Sequence, residues 1–338
     1  MTAPRAVVVE RPKVLRLGPC EPRRPAPGEA LVRVAYAGIC GSDRDLLAGT
    51  RPAAFVRYPV IPGHEWSGTV VAADDPELLG KPVVGEGIRA CLRCASCRRG
   101  DNNLCEAEYQ ETGFTQPGAW ADYLTLPARL LHVLPDGADL RAAAGLEPAA
   151  CAASACLRLA PLAGERAAVV GAGALGLLAT QLLRATHPAE LTVVDPRPDR
   201  AELASRCGAT EVLSPDQAGP HAGRYDLVVE AAGANGTARL AVGLARRGGR
   251  VALTGIAPED DEPPAPADLV LRQLTVHTVF GAPSRAWSHA VRAFVCGALD
   301  PALLVTHELP LDQVADAFRL LADPAAGAVK VLLRPGQG

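Results

Sequence analysis

The 338-residue sequence has no run of like charge longer than four residues and no stripe of basic and aromatic residues, and aromatics make up only 4% of it. With 34 basic and 37 acidic residues the formal charge is −3, which gives no reason to expect nucleic acid or an anionic membrane as partner. A bilayer-spanning helix takes about 20 apolar residues. The longest apolar run, AAVVGAGALGLLA, falls short of that, and its glycines suit a turn better. Near the N-terminus Glu10, Arg11 and Lys13 interrupt the stretch where a secretion signal needs an unbroken apolar core. A cytoplasmic protein is expected. Lysine is nearly missing too: 31 of the 34 basic residues are arginine, which reads as genome base composition. What is present is an ordinary globular balance, 49% hydrophobic and 21% charged, at a length suited to two domains or one large one.

Three stretches differ in rhythm. Residues 1–150 hold short alternating segments such as EALVRVAYAG and WSGTVVAA, cut by glycine and proline. They read as strands of a compact, mostly antiparallel unit. Over residues 151–285 the apolar strands AAVVGAG, LTVVD, DLVVEAAG and RVALTGI alternate with helical stretches such as LGLLATQLLRA. That alternation predicts a parallel sheet with crossover helices. Residues 286–338 return to a mixed pattern, with an amphipathic LDQVADAFRLLAD and a closing strand, AVKVLLR. The polar, proline-rich EDDEPPAPAD, residues 259–268, reads as a surface loop.

In AAVVGAGALG a strand runs into Gly171-x-Gly173-x-x-Gly176 and then into a helix. The motif alone is weak. A preceding strand, a following helix and an acid at the end of the next strand give it the context of a dinucleotide site. Gly171 allows the tight turn, Gly173 lets backbone approach a pyrophosphate and Gly176 lets helix pack on strand. The phosphates would lie on the helix N-terminus, where free N–H groups favour anions. Leu175 within the loop, and Gly255 after the strand RVALT, join the set of expected cofactor contacts. Asp195 stands 22 positions after Gly173, near the roughly 20 expected of the acid that binds the adenosine ribose diol. A carboxylate there favours NAD over NADP. Arg197 and Arg200 pull the other way, since an arginine beside the ribose stabilises a 2′-phosphate; a solvated helix start accounts for both as well, above all for Arg197 between its prolines.

Ten cysteines in a reducing compartment are better read as metal ligands than as disulfides where they cluster. Cys91, Cys94, Cys97 and Cys105 form such a cluster, C-x2-C-x2-C-x7-C. Four thiolates suit a tetrahedral zinc and leave no open position, so the loop is a structural clamp and the reaction lies elsewhere. A redox pair is the weaker reading, because no thioredoxin-like context surrounds it. Upstream, AGICGSDRD and VIPGHEWSGTV offer Cys40, His64 and Glu65, a mixed donor set of the kind an open catalytic zinc uses. Taken singly, each is better explained as a structural residue: a buried thiol, a capped imidazole or a surface acid.

GEALVRVAYAGICGSD, PVIPGHEWSGTV, the four-cysteine loop, GLEPAACAASA, VVGAGALG and the closing HELPLDQVADAFRLLADPAAGAVKVLLRP occur in one order over essentially the whole chain. Together they resemble the zinc-dependent medium-chain alcohol dehydrogenases. The GHE motif, and Glu147 in LEP where the alcohol branch has a cysteine, are similar to the polyol group with its sorbitol and threonine dehydrogenases. YPVIPGHEWSGTVV, LLGKPVVGE and the QETGF before GAWADYLTLP resemble the 2-deoxy-scyllo-inosamine dehydrogenases of aminoglycoside biosynthesis.

The resemblance implies a GroES-like catalytic domain made of both chain ends, with a Rossmann domain inserted between them. It implies two zinc ions per chain, NAD as cofactor, a small hydroxylated substrate and a homodimer or homotetramer. Cys40, His64 and Glu147 would surround the catalytic zinc, with Glu65 able to exchange into the shell or hold water there. Ser42 matches the family's hydroxyl relay, and Asp45 stands where many members have a histidine that passes the proton to solvent. A carboxylate there titrates below histidine unless burial raises it. Phe55, Phe114 and Trp120 are candidate pocket walls, though aromatics at such positions are more often core. A non-catalytic relative that binds nucleotide and metal is the reading from another class; intact Cys40, His64 and Glu147 speak against it. A zinc-free quinone-reductase-like member would lack both metal motifs.

Overall fold

The computed structural model describes residues 3–336. The chain divides into two compact units, one running to Glu147 and including Pro283–Val291 and the residues from Val305 on, the other Pro148–Ala282 with Arg292–Leu304. Where the sequence suggests a single return at residue 286, the chain passes between the units three times after Ala282.

In the first unit a seven-stranded sheet runs in the order Val305–Pro310, Lys330–Arg334, Glu29–Gly38, Trp66–Ala73, Pro82–Gly85, Leu131–Val133, with Tyr123–Pro127 also paired to Glu29–Gly38. All pairs are antiparallel except Val305–Pro310 with Lys330–Arg334. The alternation in EALVRVAYAG is the reason: Ala30, Val32 and Val34 turn into one core with Trp66, Val83, Leu124 and Leu126, while Arg33 faces out. Trp120 lies in that core and Phe114 in a smaller one with Val9, Leu46 and Val60. Both aromatics are fully buried core rather than walls of a cavity; Phe55 is half-buried, edge-on to Tyr109.

The second unit is a six-stranded parallel sheet: β1 Arg166–Val170, β2 Glu190–Val194, β3 Glu211–Leu213, β4 Tyr225–Glu230, β5 Ala245–Leu253 and β6 Thr275–Thr278. Their spatial order is β3-β2-β1-β4-β5-β6, the order of a doubly wound dinucleotide-binding sheet. Ala167–Val170 and Leu227–Glu230 are buried without interruption. Central parallel strands have both faces covered, so they read as continuous apolar runs rather than alternating ones. No helix among the described residues is long and apolar enough to cross a membrane.

Candidate active site

Antiparallel pairing assembles the first cluster. Ala37 lies opposite Trp66, so the end of strand Glu29–Gly38 and the start of strand Trp66–Ala73 are side by side. The residues just beyond, Cys40 on one side and His64 and Glu65 on the other, meet with ligand atoms all within 4.8 Å of one another. Gly63 makes this possible. At φ +96° it turns the chain before the strand begins, so His64 and Glu65 do not diverge to opposite faces as two strand neighbours would. An added Cβ there would meet Trp120 Cδ1 at 2.4 Å. Glu147, expected in the same shell, is in the first turn of the helix Leu146–Leu159 and stands outside that set. Burial raises its carboxyl to about 7, Glu65 and Glu111 adding to the rise and His64 and Lys330 opposing it.

The helix Gly41–Ala48 (α1) brings the surrounding groups. Cys40 is its N-cap, and Asp43 in its first turn accepts the Cys40 N–H at 2.8 Å through Oδ2. The other Asp43 oxygen lies 3.5 Å from His64 Nδ1, which turns Nε2 toward the cluster and leaves it 3.5 Å from Ser42 Oγ. Burial alone would lower the His64 pKa; Asp43 and Cys40 outweigh it and raise it well above 6.5. Asp45, expected next to Ser42 in the proton path, is exposed on the far side, near Thr50 Oγ1 at 3.5 Å. The reason is helical pitch: two positions along a helix differ by about 200°, so Asp43 turns in and Asp45 turns out.

Two partners are not visible in the motifs. Lys330, one of three lysines, opens the buried strand Lys330–Arg334 and lies 5% exposed with Nζ at 2.8 and 2.6 Å from the Glu65 oxygens. Its strand pairs with Ala37 and Gly38, which delivers it to the same end of the sheet. A charged residue in an otherwise apolar strand was the available signal. Arg51 stacks 3.6 Å over the Phe114 ring, which also lies 4.7 Å from the His64 ring, and donates to Glu111 at 3.0 Å.

The donor chemistry fits zinc: a thiol, an imidazole with its second nitrogen facing a carboxylate, and a third oxygen donor are what an open site uses. The thiol loop fits a closed site. Its four sulfurs lie within 4.8 Å of one another, Cys91 and Cys97 at 4.0 Å, close to the roughly 3.8 Å that tetrahedral zinc–sulfur bonds impose. Backbone N–H groups point at the sulfurs, from Cys91 to Cys105 at 3.3 Å and from Cys97 and Glu106 to Cys94 at 3.5 Å. Amides of Arg93 and Cys94 bring the Cys91 thiol down to about 6, whereas burial and the neighbouring thiols push Cys97 up to about 12. Between Cys97 and Cys105, Asn102 donates to Glu86 at 3.2 Å and accepts from Ser284 N at 2.8 Å, tying the loop to the start of a helix.

In the second unit β1 runs into the glycine-rich turn and then the helix Ala174–Arg184 (α2), with Gly173 as N-cap. Gly171 has φ +102°, and a Cβ on Gly176 would fall 1.9 Å from Gly171 O. A Cβ on Gly173 would meet nothing within 4 Å, which leaves room above the helix start for a phosphate. Leu175 is half-buried beside it. Asp195 directly follows β2 and is 6% exposed, with Oδ2 accepting the Ala172 N–H at 2.7 Å. Arg197 grips the same carboxylate with two side-chain bonds of 2.8 Å, so it is not merely solvated. Burial pushes the Asp195 pKa up, yet Arg197 and Ala172 hold it below the usual range. Arg200 is the buried one, 3.5 Å from Asp199. Gly255 donates to Glu230 at 3.1 Å.

Residues 26–136 match the alcohol dehydrogenase GroES-like domain and residues 174–295 the zinc-binding dehydrogenase domain. An L-threonine 3-dehydrogenase of Streptomyces coelicolor is 31% identical over 89% of this chain and 90% of its own. An erythritol/L-threitol dehydrogenase of Mycolicibacterium smegmatis is 31% identical over 98% and 97%. A zinc-binding dehydrogenase of Sinorhizobium meliloti bound to NADP superposes with a TM-score of 0.91 at 30% identity, covering 99% of this chain and all of that one. The metal-ligand cluster, the thiol loop, the doubly wound sheet and these likenesses agree, and the chain belongs to the zinc-dependent medium-chain alcohol and polyol dehydrogenases, oxidoreductases that act on CH–OH groups with NAD(P).

Proposed function

We propose that the protein exchanges a hydride between NAD and a secondary hydroxyl of a polyol, cyclitol or amino-cyclitol, with 2-deoxy-scyllo-inosamine of aminoglycoside biosynthesis as the first substrate to test. The observation that carries this is the convergence of Cys40, His64 and Glu65 beside the Ser42 hydroxyl. In the reaction, zinc supplies Lewis acidity toward the hydroxyl and the nicotinamide supplies hydride chemistry. Cys40 and His64 would hold the metal, with Glu147 as the third ligand on the resemblance to the family. Asp43 keeps the His64 ring turned so that Nε2 faces inward. Ser42 Oγ, 3.5 Å from His64 Nε2, would take up the substrate proton and pass it to the cofactor ribose or to solvent, because Asp45 is turned to the far side of α1. Glu65 is the exchanging carboxylate: both its oxygens are engaged by Lys330, so a cation must compete with a buried ion pair to recruit it. Threonine oxidation is the second reading, supported by the relative of that name.

The same reading carries a cytoplasmic setting, in which thiols stay reduced, and the four clustered loop thiols would hold the second zinc. A second copy of the chain joins along β6, an edge strand flanked by the exposed Val270, Leu271 and Phe280.

The test is an NAD-linked rate screen of zinc-loaded protein over polyols, cyclitols, amino-cyclitols and L-threonine. An amino-cyclitol is expected to give the highest kcat/KM. Turnover of threonine alone would replace this reading. Glu147→Ala is expected to lose the catalytic zinc and nearly all turnover, whereas Glu65→Ala keeps much of the metal and turns over slowly. The reverse pattern of zinc content would exchange their roles.

A further inference from the structure

The nucleotide-binding unit contains a buried acid that the chemistry above does not use. Glu230 ends β4 and is 2% exposed, and no ion pair to it occurs among the described residues. Its charge is met by backbone instead. Oε1 accepts the N–H groups of Ala232 and Gly233, both at 2.8 Å, and Oε2 accepts that of Gly255 at 3.1 Å. The first two belong to the turn after β4 and the third to the turn after β5. One carboxylate thus ties together two turns that are far apart in sequence and neighbours at the C-terminal end of the sheet. A buried charge is expensive unless hydrogen-bonded. A serine or asparagine could cap one turn, but serving both takes two acceptor oxygens at glutamate's reach.

The turns it ties are packed backbone against backbone. A Cβ on Gly233 would lie 2.8 Å from Ile256 N, and one on Gly255 2.2 Å from Gly233 N. A Cβ on Gly171 would lie 2.9 Å from Ala232 N, so the glycine-rich turn after β1 continues the same floor. Ile256, next to Gly255 in the turn after β5, is an apolar residue left 81% exposed, the kind of surface a flat heteroaromatic ring covers. In a doubly wound sheet the ligand lies across the C-terminal ends of the strands, one mononucleotide on each half. Asp195 marks the adenosine half, at the end of β2. The Glu230 turns follow β4 and β5 and belong to the other half.

We propose that Glu230 is a positioning residue of the dinucleotide site, holding the turns after β4 and β5 in the shape that receives the nicotinamide half of the cofactor. This rests on the dehydrogenase reading above. Glu230→Gln keeps one acceptor oxygen but sets an N–H2 donor against a backbone N–H, which releases one turn. In fluorescence titrations the variant should bind NADH at least about tenfold more weakly, the loss of a charge-assisted hydrogen bond. Its affinity for 5′-AMP, which occupies only the adenosine half, should stay at the wild-type value, as should zinc content and the substrate KM at saturating NAD. Equal weakening of NADH and AMP, or a lower melting temperature with unchanged NADH affinity, would make Glu230 a fold-stabilising residue only and overturn the assignment. Wild-type protein that bound neither nucleotide would sink the dehydrogenase reading instead. Amide hydrogen exchange of the cofactor-free wild type provides a check independent of the variant's folding. The Gly233 and Gly255 amides should be protected already, and exchange at the rate of an exposed loop would contradict the proposal.

Discussion

Asp43 sits three residues after a cysteine and one after a serine, and it has no solvent contact at all. One oxygen caps α1 through the Cys40 N–H and the other faces His64. Asp43→Asn keeps a cap acceptor but loses the charge that orients the imidazole. It is expected to lower kcat/KM about 10–100-fold and to shed the catalytic zinc faster into a chelator, the usual effect of removing such a partner; unchanged zinc retention would count against it. At the other ligand site, Arg197 offsets the charge of Asp195 that would repel a 2′-phosphate. Arg197 is 46% exposed on its side chain, so the effect is modest. Arg197→Ala should raise the NAD-over-NADP ratio of kcat/KM by roughly threefold, and Asp195→Ala should lower it. Initial rates with both cofactors decide the sign.

Among the elements, the thiol loop is the most self-contained. Its short helix Ala95–Arg98 and the turn Asn102–Leu104 have too few residues to be stable alone. Amides aimed at the sulfurs and the Asn102–Ser284 link hold the loop's shape. Cys94→Ser removes the sulfur that accepts two of those amides. Metal analysis should show about one zinc lost per chain, with a lower melting temperature and faster proteolysis near residues 91–105. Full zinc content in that variant would refute the structural-site reading. The strands β1 and β4 were readable because continuous apolar runs mark buried parallel strands, and β3, Glu211–Leu213, was not, because three residues carry no period.

For the whole molecule, assembly is the property a single chain displays only indirectly. The helix Pro266–Leu271 buries none of its residues, and Val270 and Leu271 are each 72% exposed next to the edge strand β6. Leu271→Glu is expected to convert a dimer to monomers in analytical ultracentrifugation while the NADH affinity per chain holds. A wild type that sediments as a monomer would remove β6 as the contact.

The sequence by itself determined the parts whose chemistry is local. Four thiols within fifteen residues, a glycine-rich turn between a strand and a helix, and Cys40 and His64 at strand ends each carry their meaning in spacing. Tertiary structure decided everything that depends on which strands pair. Lys330 reaches Glu65, 265 residues earlier in the chain, because the last strand lies against Gly38. Glu230 joins turns separated by more than twenty residues because β4 and β5 are neighbours. The choice of Asp43 over Asp45 came from the angle between helical positions, which no list of motifs contains. Spacing along the chain fixes which donors exist; only pairing across the sheets fixes which of them meet, since a hydrogen bond or a metal bond needs contact within a few ångströms and the chain supplies that only by folding back on itself.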